Sequence, residues 1–246
     1  MSANANAGTG TGGPTLAETC VVACAQAWRG DGVILASPLG LIPSLGARLA
    51  RLTFSPGLLV TDGEAMLVDA DGTVEGWMPY RDVLRLVATG RRHMMMGAAQ
   101  IDQYGNQNIA AIGDWARPKA QLLGVRGAPG NTINHPVSYW VPRHSPRVFV
   151  THVDVISGIG YDRTPPAHEI RLVVTDKAVL DFQTPDRRLR LRSVHPGVTP
   201  EQVQELTGFP LVIPDEVAVT PEPTSAELAL IRERLDPDGL AAQELG

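Results

Sequence analysis

Glycines fall at positions 124, 127 and 130 in the stretch "GVRGAPGNTINH" (124–135), directly after an apolar run. Glycine lacks a Cβ and tolerates positive φ, so such a loop lets main-chain N–H groups approach a ligand. Two such donors can hold an oxygen on which negative charge develops. Arg126 stands among the glycines and could fork onto a carboxylate or phosphate. The alternative is a plain strand-to-helix connection, and spacing alone leaves both open. Two carboxylates, Asp62 and Glu64, flank Gly63 at the end of the apolar run "LLVT". They suit either nucleophilic chemistry or a tight turn. In "GAAQIDQYGNQN" (97–108), Asp102, Gly105 and Asn106 fit an Asx-type turn. Asn106 and Asn108 facing a ligand is the other reading, and local physics favours the turn.

Other chemistries find less support. The six histidines are scattered, without the His-Glu-x-x-His spacing of a metal site. His195 precedes a helix cap, where a hydrogen-bonding role is the default. "SGIGY" (157–161) is a bare Gly-x-Gly, weak evidence for a dinucleotide. Cys20 and Cys24 lie one helical turn apart with no further ligand nearby, so they read as reduced core residues of a cytoplasmic protein. A net charge of −5 argues against a broad nucleic-acid footprint. The basic run "PDRRLRLR" (185–192) alternates with leucine as a half-exposed strand does. No run of about 18 apolar residues suggests a membrane span, and the N-terminus has no secretory pattern.

The elements that must position these residues follow from periodicity. "TLAE" (15–18) has the spacing of a capping box before a helix. "GVILAS" (32–37), "GLLVT" (57–61) and "AMLVD" (65–69) read as strands. "LIPSLGARLARLT" (41–53) and "YRDVLRLVATG" (80–90) read as helices, and "RHMMMGAA" (92–99) as a buried strand. This alternation predicts an α/β fold with a parallel sheet covered on both faces. The second half is richer in strands: "AQLLGV", "VSYWV", "RVFVTHVDVI", "IRLVVTDKAVLDF" and "RLRLRSV". A helix capped by Thr199 follows, then a proline-rich arm over 209–224 and a last helix over 225–235. The expected organisation is a disordered tail over 1–13, one α/β domain over 14–240 and a C-terminal tail over 241–246.

"MGAAQIDQYGNQN" (96–108) resembles the Gly-Ala-x-Gln-x-Asp-x-x-Gly-Asn segment of class I coenzyme A transferase β subunits. "GVRGAPGN" resembles their glycine-rich oxyanion loop, and "HPGVTPEQVQELTGFPL" (195–211) their C-terminal signature. The resemblance spans about residues 15 to 240. It implies a transferase-like open sheet flanked by helices. In those transferases the corresponding strand ends in Ser-Glu-x-Gly, and the glutamate attacks the acyl-CoA thioester. This chain has Thr61-Asp62-Gly63 there. Aspartate is one methylene shorter, and a misplacement of about 1 Å costs on the order of 10²-fold in rate. Glu64 is two positions away. Asp62 is therefore read as a turn or pocket residue.

"RLTFSPGLLVTDGEA", "GRRHMMMGA", "GVRGAPGNTINHPVSYWV" and "DVISGIGYD" are similar to the β subunits of actinobacterial cholesterol ring-cleaving hydrolases. That branch implies hydrolysis of a ring carbon–carbon bond in a cyclic keto acyl-CoA, in a retro-Claisen sense. It also implies an α₂β₂ assembly, with a glutamate of the α subunit as general base. The substrate is then a coenzyme A thioester, with no further cofactor and no metal. Gly127, Ala128 and Gly130 are expected to offer N–H groups to the thioester oxygen or its enolate. Arg126 would hold a substrate carboxylate or stabilise enolate charge, Asn131 would orient the acyl group, and Asp62 and Asn106 would line the substrate site. The alternatives are a true transferase using Asp62 or Glu64, and a non-catalytic ligand-binding subunit.

Overall fold

Thr15 opens the first helix as its spacing predicts. Its hydroxyl accepts from the Glu18 N–H at 3.2 Å, and the Glu18 carboxylate accepts from the Thr15 N–H at 2.7 Å. The computed structural model describes residues 12–163 and 168–245, so most of the tail expected over 1–13 lies outside the described residues. In chain order, α1 (Leu16–Ala25), β1 (Leu35–Pro38), α2 (Leu41–Leu52) and β2 (Leu59–Thr61) come first. They are followed by β3 (Met66–Val68), β4 (Val74–Trp77), α3 (Tyr80–Thr89) and β5 (Arg92–Gly97). Two hairpins come next, β6 (Gln100–Ile101) with β7 (Gln107–Asn108), and β8 (Ala111–Ile112) with β9 (Ala120–Gln121). After them run α4 (Ala128–Asn134), β10 (Val137–Val141), β11 (Ile170–Thr175), β12 (Ala178–Asp181) and β13 (Arg190–Val194). The chain closes with α5 (Pro200–Glu205), β14 (Ala218–Val219), α6 (Ser225–Leu230), a π-helical turn (Ile231–Leu235) and α7 (Ala241–Glu244).

Ten strands form one sheet in the order β14-β13-β12-β11-β10-β5-β1-β2-β3-β4. The central five, β11 to β2, are parallel, and antiparallel strands extend the sheet on both sides. This is the expected α/β class. Along β5 the side chains alternate between two cores, as a strand's period of two requires. Met95 joins the core beneath α1 and α2, whereas Met94 and Met96 join the opposite one. Cys20 and Cys24 are free thiols in the first core, where burial raises both above the usual thiol range. No helix among the described residues is long and apolar enough to cross a membrane.

Four expectations are corrected. "RVFVTHVDVI" (147–156) forms no strand; only Phe149 is buried and bridges to Ile101, while Asp154 accepts from Gln100 Nε2 and the Gly113 N–H. Tertiary partners in the hairpin layer override the segment's strand-prone composition. "AQLLGV" yields only the short β9. An unexpected strand, β4, pairs with β3. The supposed C-terminal tail is a docked helix: Ala241 is buried, and Glu244 accepts from the Ile42 N–H at 2.7 Å and from Trp140 Nε1 at 3.1 Å. The basic run is a half-exposed strand as expected, with Leu189 and Leu191 buried and Arg192 exposed.

Candidate active site

The chain leaves β1 toward β2 on one side, then returns through α3 to enter β5 on the other. Open α/β sheets bind ligands beyond the carboxyl ends of their strands at such a reversal. A cleft of about 790 Å³ opens there. Met94 and Met96 of β5 line it, with Val83, Leu84 and Val87 of α3 and Leu122 of the loop after β9. A volume of this order, walled mainly by hydrocarbon, suits an acyl group of ring size.

Gly63 brings the β2 end to this cleft. Its φ is +100°, and a Cβ there would meet the Pro38 carbonyl oxygen and the Leu39 side chain at 2.8 Å. Only glycine fits so close beneath β1. The turn is held by Asp62, whose Oδ1 accepts from the Glu64 N–H at 2.9 Å and the Met66 N–H at 3.2 Å. Asp62 is absent from the cleft lining, whereas Glu64 is part of it. The opening carboxylate question resolves into two roles, with Asp62 as an Asx-type turn residue.

The glycine loop forms the opposite lip. Arg126, Gly127, Ala128 and Asn131 all line the cleft. Arg126 adopts φ +48°, a left-handed backbone uncommon for a side chain of this size. Its Nη2 lies 2.6 Å from Glu64 Oε1, so an ion pair crosses the mouth, with both side chains more than half exposed. Gly127 caps α4, and its N–H has no partner among the described residues. The Ala128 N–H, in contrast, donates to the Val125 carbonyl at 3.0 Å and is not free for an oxyanion. Gly130, unlike Ala128, does not line the cleft. A Cβ there would come within 2.4 Å of Val87 Cγ1, so this glycine serves the close packing of α4 on α3. Asn131 is 2% exposed, and its Oδ1 has no hydrogen-bond partner. A buried amide left unpaired at a cleft wall is costly unless a ligand completes it. Gln107 is a second case: its Nε2 donates to the Gly97 carbonyl, and its buried Oε1 is unpaired.

Asn106 does not reach the cleft. It is fully buried, donates from Nδ2 to Asp102 at 2.9 Å and Asp162 at 2.8 Å, and accepts from the Gly160 N–H at 2.8 Å. It ties the Asp102 turn to the loop after Ser157, which is the structural reading. His195 likewise bonds Thr220 Oγ1 at 3.1 Å and the Thr175 carbonyl at 2.9 Å. No group of three or more His, Cys, Asp or Glu among the described residues is arranged to hold a metal. Sequence reasoning overlooked Arg92 and Gln107. The usable signal for Arg92 was a cation opening a strand read as buried.

The coenzyme A transferase family model matches residues 84–206. The chain is also 51% identical over 243 residues to the cholesterol ring-cleaving hydrolase IpdB subunit of Rhodococcus jostii, across 94% of this chain and 96% of that one. The chain belongs to the coenzyme A transferase family. The IpdB subunit of Mycobacterium tuberculosis is 49% identical over 246 residues, covering 94% of this chain and 98% of the relative. The crystal structure of Rhodococcus jostii IpdAB superposes with a TM-score of 0.90 at 50% identity, over 95% of this chain and 99% of that one. Glutaconate coenzyme A-transferase of Acidaminococcus fermentans gives a TM-score of 0.78 at 26% identity, over 93% and 96%. The transferase resemblance and its open-sheet fold are therefore established, and the ring-cleaving hydrolases stand nearer to this chain than that transferase does.

Proposed function

We propose that this chain is the β-type subunit of a heteromeric hydrolase that opens a ring carbon–carbon bond in a cyclic keto acyl-CoA of steroid breakdown. The observation that carries this reading is the 51% identity to an IpdB subunit along nearly the whole of both chains. The site supports it. In this reading Asp62 takes the place of the transferase glutamate, and its carboxylate accepts two main-chain N–H bonds within a turn. In this reading no side chain of this subunit attacks the thioester.

The chemistry follows from charge. A general base on the α-type partner directs water onto the ring ketone. The tetrahedral adduct collapses, breaking the bond to the carbon beside the thioester and leaving the former ketone carbon as a carboxylate. The electron pair moves to the thioester as an enolate, which a proton then quenches at carbon. Gly127 and Asn131 line the cleft where the enolate oxygen would lie, Gly127 with an N–H that has no partner among the described residues, and Arg126 adds positive charge at its mouth. Fixed donors of this kind contribute about 3 kcal/mol each in comparable sites. An α-type partner in an α₂β₂ assembly fits the surface. α3 has no buried residue, and Trp77, Tyr80 and Leu84 are each more than half exposed. Reduced cysteines and acyl-CoA chemistry fit a cytoplasmic location.

The test is to co-purify the chain with its α-type partner, add a cyclic keto acyl-CoA and follow products by mass spectrometry. A ring-opened acyl-CoA heavier by one water is expected. Transfer of coenzyme A to an added acid, without ring opening, would reject the reading. That second reading has one observation in its favour: Glu64 lines the cleft. It requires an acyl-enzyme on Glu64 that hydroxylamine traps.

A further inference from the structure

Arg92 stands where strand patterning puts an apolar side chain. It opens β5, and the four residues after it are all buried. Arg92 itself is only 3% exposed. In the sheet it sits beside Leu35 of β1, yet its Nε donates to the hydroxyl of Ser37, two residues further along that strand, at 2.8 Å. The side chain therefore runs up the sheet face toward the carboxyl ends of the strands, and it forms part of the cleft wall. Ser37 is in turn bonded by Thr61 at 3.3 Å, and Thr61 Oγ1 accepts from the Gly63 N–H at 3.1 Å. This chain of bonds fixes the guanidinium relative to the β2 turn.

What Arg92 lacks is a counter-ion. Two other part-buried arginines have one: Arg171 pairs with buried Asp31, and Arg190 with buried Asp181 at 2.8 Å. No carboxylate of the described residues lies within ion-pair distance of Arg92, and neither Nη atom has a hydrogen-bond partner among them. Burial alone draws its pKa down, with no opposing charge. Arginine stays protonated in proteins, so this site holds a desolvated and unanswered positive charge. Such a charge is strongly unfavourable without a partner. A planar fork with free N–H edges, set in an apolar cleft, is matched by a carboxylate.

We propose that Arg92 binds a carboxylate carried by the acyl group away from the thioester, and so selects acyl-CoA substrates that bear a second acid. The proposal rests on the reading of this cleft as the acyl-CoA site. It divides the work of the two arginines. Arg126, exposed and joined to Glu64, serves the mouth, and Arg92 serves the interior.

The experiment measures binding of glutaryl-CoA and of its terminal methyl ester to the complex of this chain with its α-type partner. Wild type, Arg92→Gln and Arg92→Lys are compared by calorimetry. Wild type is expected to prefer the acid by about tenfold or more, roughly the value of one charge-assisted pair. Arg92→Gln is expected to bind acid and ester alike, through loss on the acid only. Arg92→Lys, a point charge without the fork, is expected to keep a reduced preference. A preference that survives in Arg92→Gln, or an equal loss on both ligands, overturns the proposal. If Arg92→Gln does not assemble, an undiminished preference in Arg92→Lys overturns it instead. An Arg92-dependent preference in a complex that opens no ring would reject the proposed reaction while leaving this site standing.

Discussion

Arg126 holds a left-handed backbone angle of +48°, a conformation that costs a non-glycine residue about 1 kcal/mol. Its exposed pair with Glu64 returns little of that, since surface ion pairs contribute roughly 0–1 kcal/mol. Stability does not explain the strain, whereas a guanidinium aimed across a cleft mouth does. Arg126→Ala is therefore expected to change unfolding free energy by under about 1 kcal/mol while lowering turnover on the order of 10²-fold or more. Urea titration and steady-state kinetics of the assembled enzyme check both halves, and unchanged turnover would remove Arg126 from the site. At this scale the legible residues were those whose bonds are local. The turn roles of Asp62 and Asn106 follow from bonds a few positions away, whereas the expectation that both line the substrate site does not hold, since neither lines the cleft. Gly130, Ala128 and Arg92 were not legible, because Val87, the Val125 carbonyl and Ser37 decide their roles, and two of those contacts come from other elements.

Helix α1 was legible from its capping box, α5 from its Thr199 cap and Pro200, and α2, α3 and the parallel strands from their periodicity. The elements that escaped reading are those whose place depends on partners far along the chain. The clearest is α7, whose Glu244 completes the N-terminus of α2 through the Ile42 N–H and satisfies the buried indole of Trp140. Nothing within 241–246 announces these contacts, which reach back 202 and 104 residues. Deleting residues 241–246 leaves the Trp140 N–H buried without its acceptor and uncovers the apolar surface beneath Ala241. A loss of about 2–4 kcal/mol is expected, seen as a lower urea midpoint. Glu244→Ala should account for about 1–3 kcal/mol of it. A truncated chain as stable as the full one would show that α7 contributes nothing to the core.

The whole molecule buries several neutral histidines, and this makes its stability depend on pH. His144 stacks on Phe149 with ring centroids 3.9 Å apart, and its nitrogens meet Thr175 Oγ1 at 3.2 Å and Thr207 Oγ1 at 3.0 Å. Burial draws its pKa down to about 4, and His93 and His195 are lowered by the same cause. The unfolded chain takes up these protons below the ordinary value of about 6.5, and the folded chain only at lower pH. Stability is thus fully present at neutral pH and falls as pH drops from about 6.5 toward 4, by up to roughly 3 kcal/mol for His144. Urea midpoints at about pH 7 and pH 5 should differ in that direction, and equal midpoints would contradict it. The molecule as a whole presents an apolar cleft with one carboxylate, Glu64, in its lining. The central claim is that this carboxylate does not become acylated during turnover. Intact-mass spectrometry of this chain, quenched during a single turnover of the assembled enzyme with a cyclic keto acyl-CoA, tests that directly. An unmodified chain beside ring-opened product is the expected result; an acyl or coenzyme A adduct mapped to Glu64 would contradict it.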